Sequence, residues 1–354
     1  MKNKRRIFLS AVLALVMTFS VFPVSASAAG LGIFDSLFGG STQSQTQAQP
    51  TYSFRQRSDG RYTLLKNGSP VNSTGFVRGT INGKTGAYYV ENGIVNAHFT
   101  GVKYGTLNGK TTYWFLNDGV VPETYSGVMS TSKYKWTVSN GELKAILINV
   151  PKVNQVPDYP TGCEAASATS LLNFYGTNTS MKEMINAIPR EDIVKENGKD
   201  YGPSIYEKFV GDPTSTYTMG KPGYGAFAPV VTKAMNSVLT AHGSQYKAYD
   251  ISGSTPSQLY DRIRKGQPVI VWATYNMKTP TKKNSWYVKD PTKPGGEYYF
   301  EYPRGTHVMV LCGVDDENNT ITVEDPYGAT NKTFDRSLFE SKYKLLNQMA
   351  IEVK

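Results

Sequence analysis

Cysteine and histidine are scarce, with 2 Cys and 3 His in 354 residues. Two cysteines exclude a disulfide framework. Three histidines, with no CxxC or HExxH string, leave little for a metal cluster, and the absence of a GxxxxGKS or GxxxxGKT string sets nucleotide chemistry aside. No metal and no cofactor are expected. Charged residues are only 19% of the chain against 39% hydrophobic, so a core can form and global disorder is excluded. Long apolar runs are confined to the first residues. What the chain does have is length for at least two units, 33 Gly, 24 Tyr and 15 Phe, and a net charge of +10 whose position must be found before it is interpreted.

Residues 1–28 run from Lys2, Lys4, Arg5 and Arg6 through the apolar stretch Ile7 to Val24 to Ala26-Ser27-Ala28. That basic, apolar, small-residue order is the pattern of a secretory signal peptide, cleaved near Ala28. No later run is long enough to span a bilayer, no cysteine stands at the cleavage region, and the C-terminus carries no sorting motif. The expectation is export without a lasting membrane contact. Residues 29–52 include Gly39-Gly40-Ser41-Thr42-Gln43-Ser44-Gln45, a polar run that reads as a flexible linker.

Self-similarity follows over 53–145. Gly79-Thr80-Ile81-Asn82-Gly83-Lys84-Thr85 recurs as Gly105-Thr106-Leu107-Asn108-Gly109-Lys110-Thr111, a shift of 26 residues. Asn-Gly and Asp-Gly pairs between aromatic and β-branched runs predict hairpins, and isolated hairpins must stack to share a core. A small all-β hairpin-repeat module is expected. The unit Tyr88-Tyr89-Val90-Glu91-Asn92-Gly93-Ile94-Val95, followed by Phe99-Thr100-Gly101-Val102, resembles the cell-wall-binding or glucan-binding repeats of Gram-positive surface proteins. The resemblance implies shallow aromatic sites for wall groups, with Tyr88, Tyr89, Tyr113, Trp114 and Trp136 as candidates. The same rings could equally serve as glue between hairpins.

The chemistry lies in 146–354. Thr161 and Glu164 stand in the capping-box relation ahead of Ala165 to Tyr175, so a helix is predicted to start at Thr161 with Cys163 in its first turn. The positive end of the helix dipole would there favour a thiolate. A buried, inert thiol is the alternative for any free cysteine. Later, His307 opens the run Val308 to Val314, a polar turn follows, and Thr320 to Val323 leads to Glu324-Asp325. A hairpin with its tip near residue 316 would set His307 opposite Asp325. Cys163 as nucleophile, His307 as proton carrier and Asp325 as the group orienting the imidazole make a thiol-hydrolase arrangement, and the Gln155 amide could donate to a developing oxyanion. Cys312 reads as core, His98 and His242 as structural or surface groups, and Trp272 and Tyr275 as cleft walls.

Gln155 with Pro160-Thr161-Gly162-Cys163-Glu164, Gly223-Tyr224-Gly225-Ala226-Phe227, Gly266-Gln267-Pro268, Gly305-Thr306-His307 and Asp325-Pro326 resemble the peptidase C39-like family across 146–354. The resemblance implies a papain-like α+β fold and a Cys-His-Asp site with a Gln at the oxyanion hole. The function expected is a secreted cysteine peptidase held at a Gram-positive-type cell wall. Its partners would be a peptide or protein substrate and, through the repeats, a wall glycan or anionic wall polymer. Two other readings remain: a peptidoglycan stem-peptide endopeptidase or amidase, and a non-catalytic wall-associated peptide-binding protein. Charge placement agrees with the wall, since residues 29–145 hold 11 Lys and Arg against 6 acidic residues, whereas 146–354 hold 23 against 22. The basic excess sits on the repeats, and a nucleic-acid partner is not expected.

Overall fold

Asparagine tolerates positive φ and glycine prefers it, so paired Asn-Gly turns bring strands back on themselves with the right-handed twist of a sheet. The computed structural model, which describes residues 52–215 and 222–354, puts such turns where the sequence repeats. The signal-peptide residues 1–28 and the linker through residue 51 lie outside the described residues. Strands β1 (Gly75–Ile81) and β2 (Lys84–Glu91) meet at Asn82-Gly83, with φ of 50° and 75°. Strands β3 (Gly101–Leu107) and β4 (Lys110–Leu116) meet at Asn108-Gly109, with φ of 52° and 76°. The pairing Thr80↔Thr85 recurs as Thr106↔Thr111, and each threonine pair is hydrogen-bonded across its hairpin, at 2.7 and 2.6 Å.

Strand β5 (Tyr134–Ser139) and strand β6 (Glu142–Ile148) form a further hairpin around Asn140-Gly141. Strand β6 crosses residue 146, the expected boundary between the repeats and the second domain. It contacts β4 through Glu142↔Trp114 and continues into the sheet beyond. The described residues accordingly form one compact unit.

Beyond β6 the chain mixes helices and strands. Helix α1 (Cys163–Phe174) and a short helix at Met181–Ala187 precede α2 (Ala228–Ala241) and α3 (Pro256–Arg264), and strands β7 (Val269–Thr274), β8 (Lys283–Lys289) and β9 (Glu297–Pro303) come after them. Strands β10 (Thr306–Asp315), β11 (Thr320–Asp325) and β12 (Thr330–Asp335) lead to α4 (Arg336–Leu345) and the closing β13 (Ala350–Val353). The main sheet runs β13, β7, β10, β6, β5, all antiparallel, with β11 and β12 branching from β10. Val269-Ile270-Val271-Trp272-Ala273-Thr274 is buried at every position, as a central strand covered on both faces must be.

Helix α1 lies on β10, and Ser167 Oγ donates to the Val308 carbonyl at 3.1 Å. Its residues from Cys163 to Leu172 are all buried. Small side chains at Ala165, Ala166, Ser167 and Ala168 let this helix sit inside the molecule instead of on its surface.

Candidate functional site

Helix α1 aims its first residue at the sheet. The helix begins at Cys163, with Gly162 as N-cap and no side-chain cap. The predicted capping box is not formed: Thr161 Oγ1 turns instead to the carbonyls of Asp212, Pro213 and Ser215, at 3.3, 3.2 and 3.0 Å, which share its single hydroxyl hydrogen. Glu164, expected to cap, is buried within the site. Its Oε1 accepts from the Ala226 N–H at 2.9 Å, and its Oε2 accepts from the Cys163 thiol at 3.4 Å. Gly225 has φ of +102°, and a Cβ there would stand 2.5 Å from Glu164 Oε1, so this turn requires glycine.

These contacts reverse the electrostatic expectation for the thiol. Burial, and next the Glu164 charge, push Cys163 well above its ordinary value, and the helix N-terminus does not overcome them. Burial likewise raises Glu164 to about 7, against the opposing hydrogen bonds from the Ala226 N–H and the Cys163 thiol. At neutral pH Cys163 therefore rests as the thiol, while Glu164 is divided between its carboxylate and carboxyl forms.

His307 opens β10 and pairs in register with Ala273 of β7. Asp325 ends β11. The register proposed from sequence is incorrect: the pairs are Asp315↔Thr320 and Val314↔Ile321 near the turn, then Leu311↔Val323 and Val310↔Glu324 after an irregularity at Cys312. The turn is centred between Glu317 and Asn318, beyond the expected tip at 316, and the extra residue at Cys312 moves the ladder back by only one position. His307 and Asp325 nevertheless meet, on a diagonal, with His307 Nε2 at 2.6 Å from Asp325 Oδ1. Asp325 Oδ1 also accepts the Tyr327 N–H at 2.8 Å, and Lys332 Nζ lies 2.6 Å from Oδ2. Burial disfavours the carboxylate, but the His307 hydrogen bond and charge, Lys332 and the Tyr327 N–H outweigh it and hold Asp325 at about 2. Because an ionised carboxylate only accepts, His307 Nε2 carries the proton, and a neutral ring keeps its lone pair on Nδ1.

Gln155, Cys163 and His307 line one cavity, together with Glu164, Tyr224, Tyr275, Tyr302 and Tyr327. Gln155 is buried; its Nε2 donates to the Pro160 carbonyl at 2.7 Å, which occupies one of two amide hydrogens. Tyr275 meets His307 edge-on at 5.4 Å between ring centroids. Trp272 is not a cleft wall: it is fully buried behind the site, with its indole N–H on the Ala226 carbonyl at 3.0 Å. Gly223, Tyr224 and Gly225 border the cavity.

Cys312 is buried, with its thiol 3.5 Å from the Thr322 carbonyl, and neither cysteine is in a disulfide. His98 and His242 stand apart, beside Asp118 and Glu183. Among the described residues no group of three or more His, Cys, Asp or Glu could hold a metal, and no helix is long and apolar enough to cross a membrane. The sequence reading missed Glu164 and Lys332 as site residues. For Lys332 a signal existed, since it lies across from Val323 and so shares a face with Asp325.

Of the five rings proposed for wall ligands, Tyr88, Trp114 and Trp136 are buried. They are glue between hairpins: Tyr88 packs on Phe54, Trp136 on Phe115, and Trp114 on Phe76. Tyr113 lies under the Arg264 guanidinium. Tyr89 lines a cavity, with Phe99, Lys103, Glu91 and Arg61 among its neighbours there.

A helix-borne cysteine and the histidine of a buried His-Asp pair thus line one cavity. The chain belongs to the Peptidase C39 like family, whose model matches residues 147–351. It is similar to the uncharacterized protein YvpB of Bacillus subtilis (strain 168), at 28% identity over 221 residues, covering 61% of this chain and 80% of that one. A solved structure assigned as a C39-like peptidase from Bacillus anthracis has 23% identity and a TM-score of 0.48, covering 58% of this chain and 94% of its own. Xylellain, a cysteine protease from Xylella fastidiosa, has 14% identity and a TM-score of 0.28, covering 58% and 86%. Neither likeness bears on how the site works.

Proposed function

We propose that the protein is a cysteine peptidase whose catalytic groups are Cys163, His307 and Asp325, with Gln155 at the oxyanion. The observation that carries this reading is the 2.6 Å contact from His307 Nε2 to Asp325 Oδ1 beside the cavity that Cys163 and Gln155 also line. Asp325 fixes the tautomer, so Nδ1 takes the Cys163 proton as the sulfur attacks the acyl carbon. An S–C bond forms, and the oxyanion is stabilised by the free Gln155 amide hydrogen and the Cys163 N–H. The amide C–N bond then breaks, and the imidazolium returns its proton to the leaving amine. Water, deprotonated by the same nitrogen, releases the acid and regenerates the thiol. The family match supports peptidase-type chemistry, and the complete set of residue types favours an active enzyme over a binding relic.

Export through residues 1–28 and attachment to a cell wall through the strands before residue 146 belong to the same proposal. Tyr89, beside the Phe99 ring and the Lys103 ammonium, is the ring left to meet a wall glycan or anionic polymer. The test is incubation of purified Gram-positive walls and of a broad peptide library with the secreted protein. Wall retention and new peptide termini are expected. Release of stem peptides alone would narrow the substrate to peptidoglycan, and retention with no cleavage of either material would leave a binding protein.

A further inference from the structure

The catalytic cavity does not end at His307. Tyr275 and Gly305 line it and also line a neighbouring surface groove, so the two are adjacent and share a wall. Lys278, Lys282 and Arg304 line that groove, and no carboxylate among the described residues does. At its wall, Thr279 Oγ1 accepts from Lys342 Nζ at 2.9 Å, which brings in a further ammonium.

This basic character is local, because the half of the chain from 146 onward holds 23 basic against 22 acidic residues. Lysines nearby are mostly neutralised. Lys283 is paired with Glu301, Lys289 with Glu196 and Lys332 with Asp325. Lys278 and Lys282 are exposed and have no carboxylate partner among the described residues. Two unneutralised ammonium groups bordering a groove that adjoins the cavity of Cys163 favour a negatively charged chain there.

We propose that this groove binds an acidic peptide segment, so that the substrates are peptides carrying carboxylates close to the bond cleaved. The word substrate rests on the peptidase reading; the binding preference does not. Exposed ion pairs are individually weak and salt-screened, so selectivity comes from several acting together.

Binding is measured by fluorescence anisotropy on the full chain carrying Cys163→Ala, with a labelled peptide alternating Glu and Gly and its Lys and Gly counterpart. The acidic peptide binds more tightly, and less so in high salt. Lys278→Glu with Lys282→Glu weakens it about tenfold, roughly threefold for each reversal. The charge-matched pair Lys233→Glu with Lys247→Glu, which does not line the groove, leaves binding unchanged, and thermal melts of both pairs confirm folding. Equal binding of the two peptides, or an equal loss in the charge-matched pair, overturns the inference. Absence of turnover by the unsubstituted protein, with the binding preference intact, counts against the catalytic reading alone and leaves this one supported.

Discussion

The thiol of Cys163 donates to the carboxylate of the residue beside it, Glu164, at 3.4 Å. Thus the residue that follows the nucleophile holds its proton in place, and the resting site keeps a neutral thiol until a substrate enters. Glu164→Gln keeps an acceptor for the Ala226 N–H and removes the charge. We expect the Cys163 pKa to fall and iodoacetamide to alkylate it about tenfold faster at neutral pH, the effect of one nearby charge at a buried site. Alkylation no faster than in the unsubstituted protein sinks this role.

Glu164 also links stability to pH. It is held at about 7, above the ordinary carboxyl range, so the folded protein binds a proton that the unfolded chain has released. Its contribution is fully present below about pH 4.3, the unfolded value, and declines as pH rises to 7. The amount is of order 3 kcal/mol across that window. Urea midpoints for Glu164→Gln and the unsubstituted protein should diverge as pH rises from 4.5 to 7, and parallel midpoints contradict the buried carboxyl.

Asp325 has the opposite sign. It is held at about 2, below its unfolded value, so its contribution is present above about pH 3.9 and disappears as pH falls toward 2. Lys332 supports this carboxylate from 2.6 Å and in turn donates to Asn276 at 2.9 Å. Lys332→Met leaves a buried charge with one partner fewer and should cost about 1 to 3 kcal/mol at pH 7. That loss should shrink below pH 3, where Asp325 begins to protonate. Denaturation curves at the two pH values check it.

Cys312 is a packing residue. Cys312→Ala should cost about 1 kcal/mol and leave turnover intact, since it removes one buried sulfur at a strand irregularity. Asp325→Asn should cut kcat by about a hundredfold or more while the fold survives, because an amide no longer fixes the imidazole tautomer. Steady-state kinetics on both variants separates the two roles.

The legible parts of the site were those set by short-range chemistry. The Asn82 and Asn108 turns follow from residue type, whereas the helix start near Cys163 rests on a capping-box pattern at Thr161 and Glu164 that does not form, the helix beginning two residues later than expected. His307 and Asp325 are the right pair, but the hairpin argument reaches them through a register that the observed turn beyond 316 rules out. Glu164 was misread because its partner is the Ala226 backbone, 62 residues away, and a capping pattern looks the same whether its acid turns outward or inward. Tyr88, Trp114 and Trp136 were ambiguous for a similar reason, since alternation marks an aromatic face without saying whether another hairpin covers it.

The central claim is that Cys163 is the nucleophile. Its most direct test is peptide turnover by the unsubstituted protein and by Cys163→Ala, side by side, with EDTA present in both. The unsubstituted protein should cleave and the variant should not; equal turnover by the two contradicts the account.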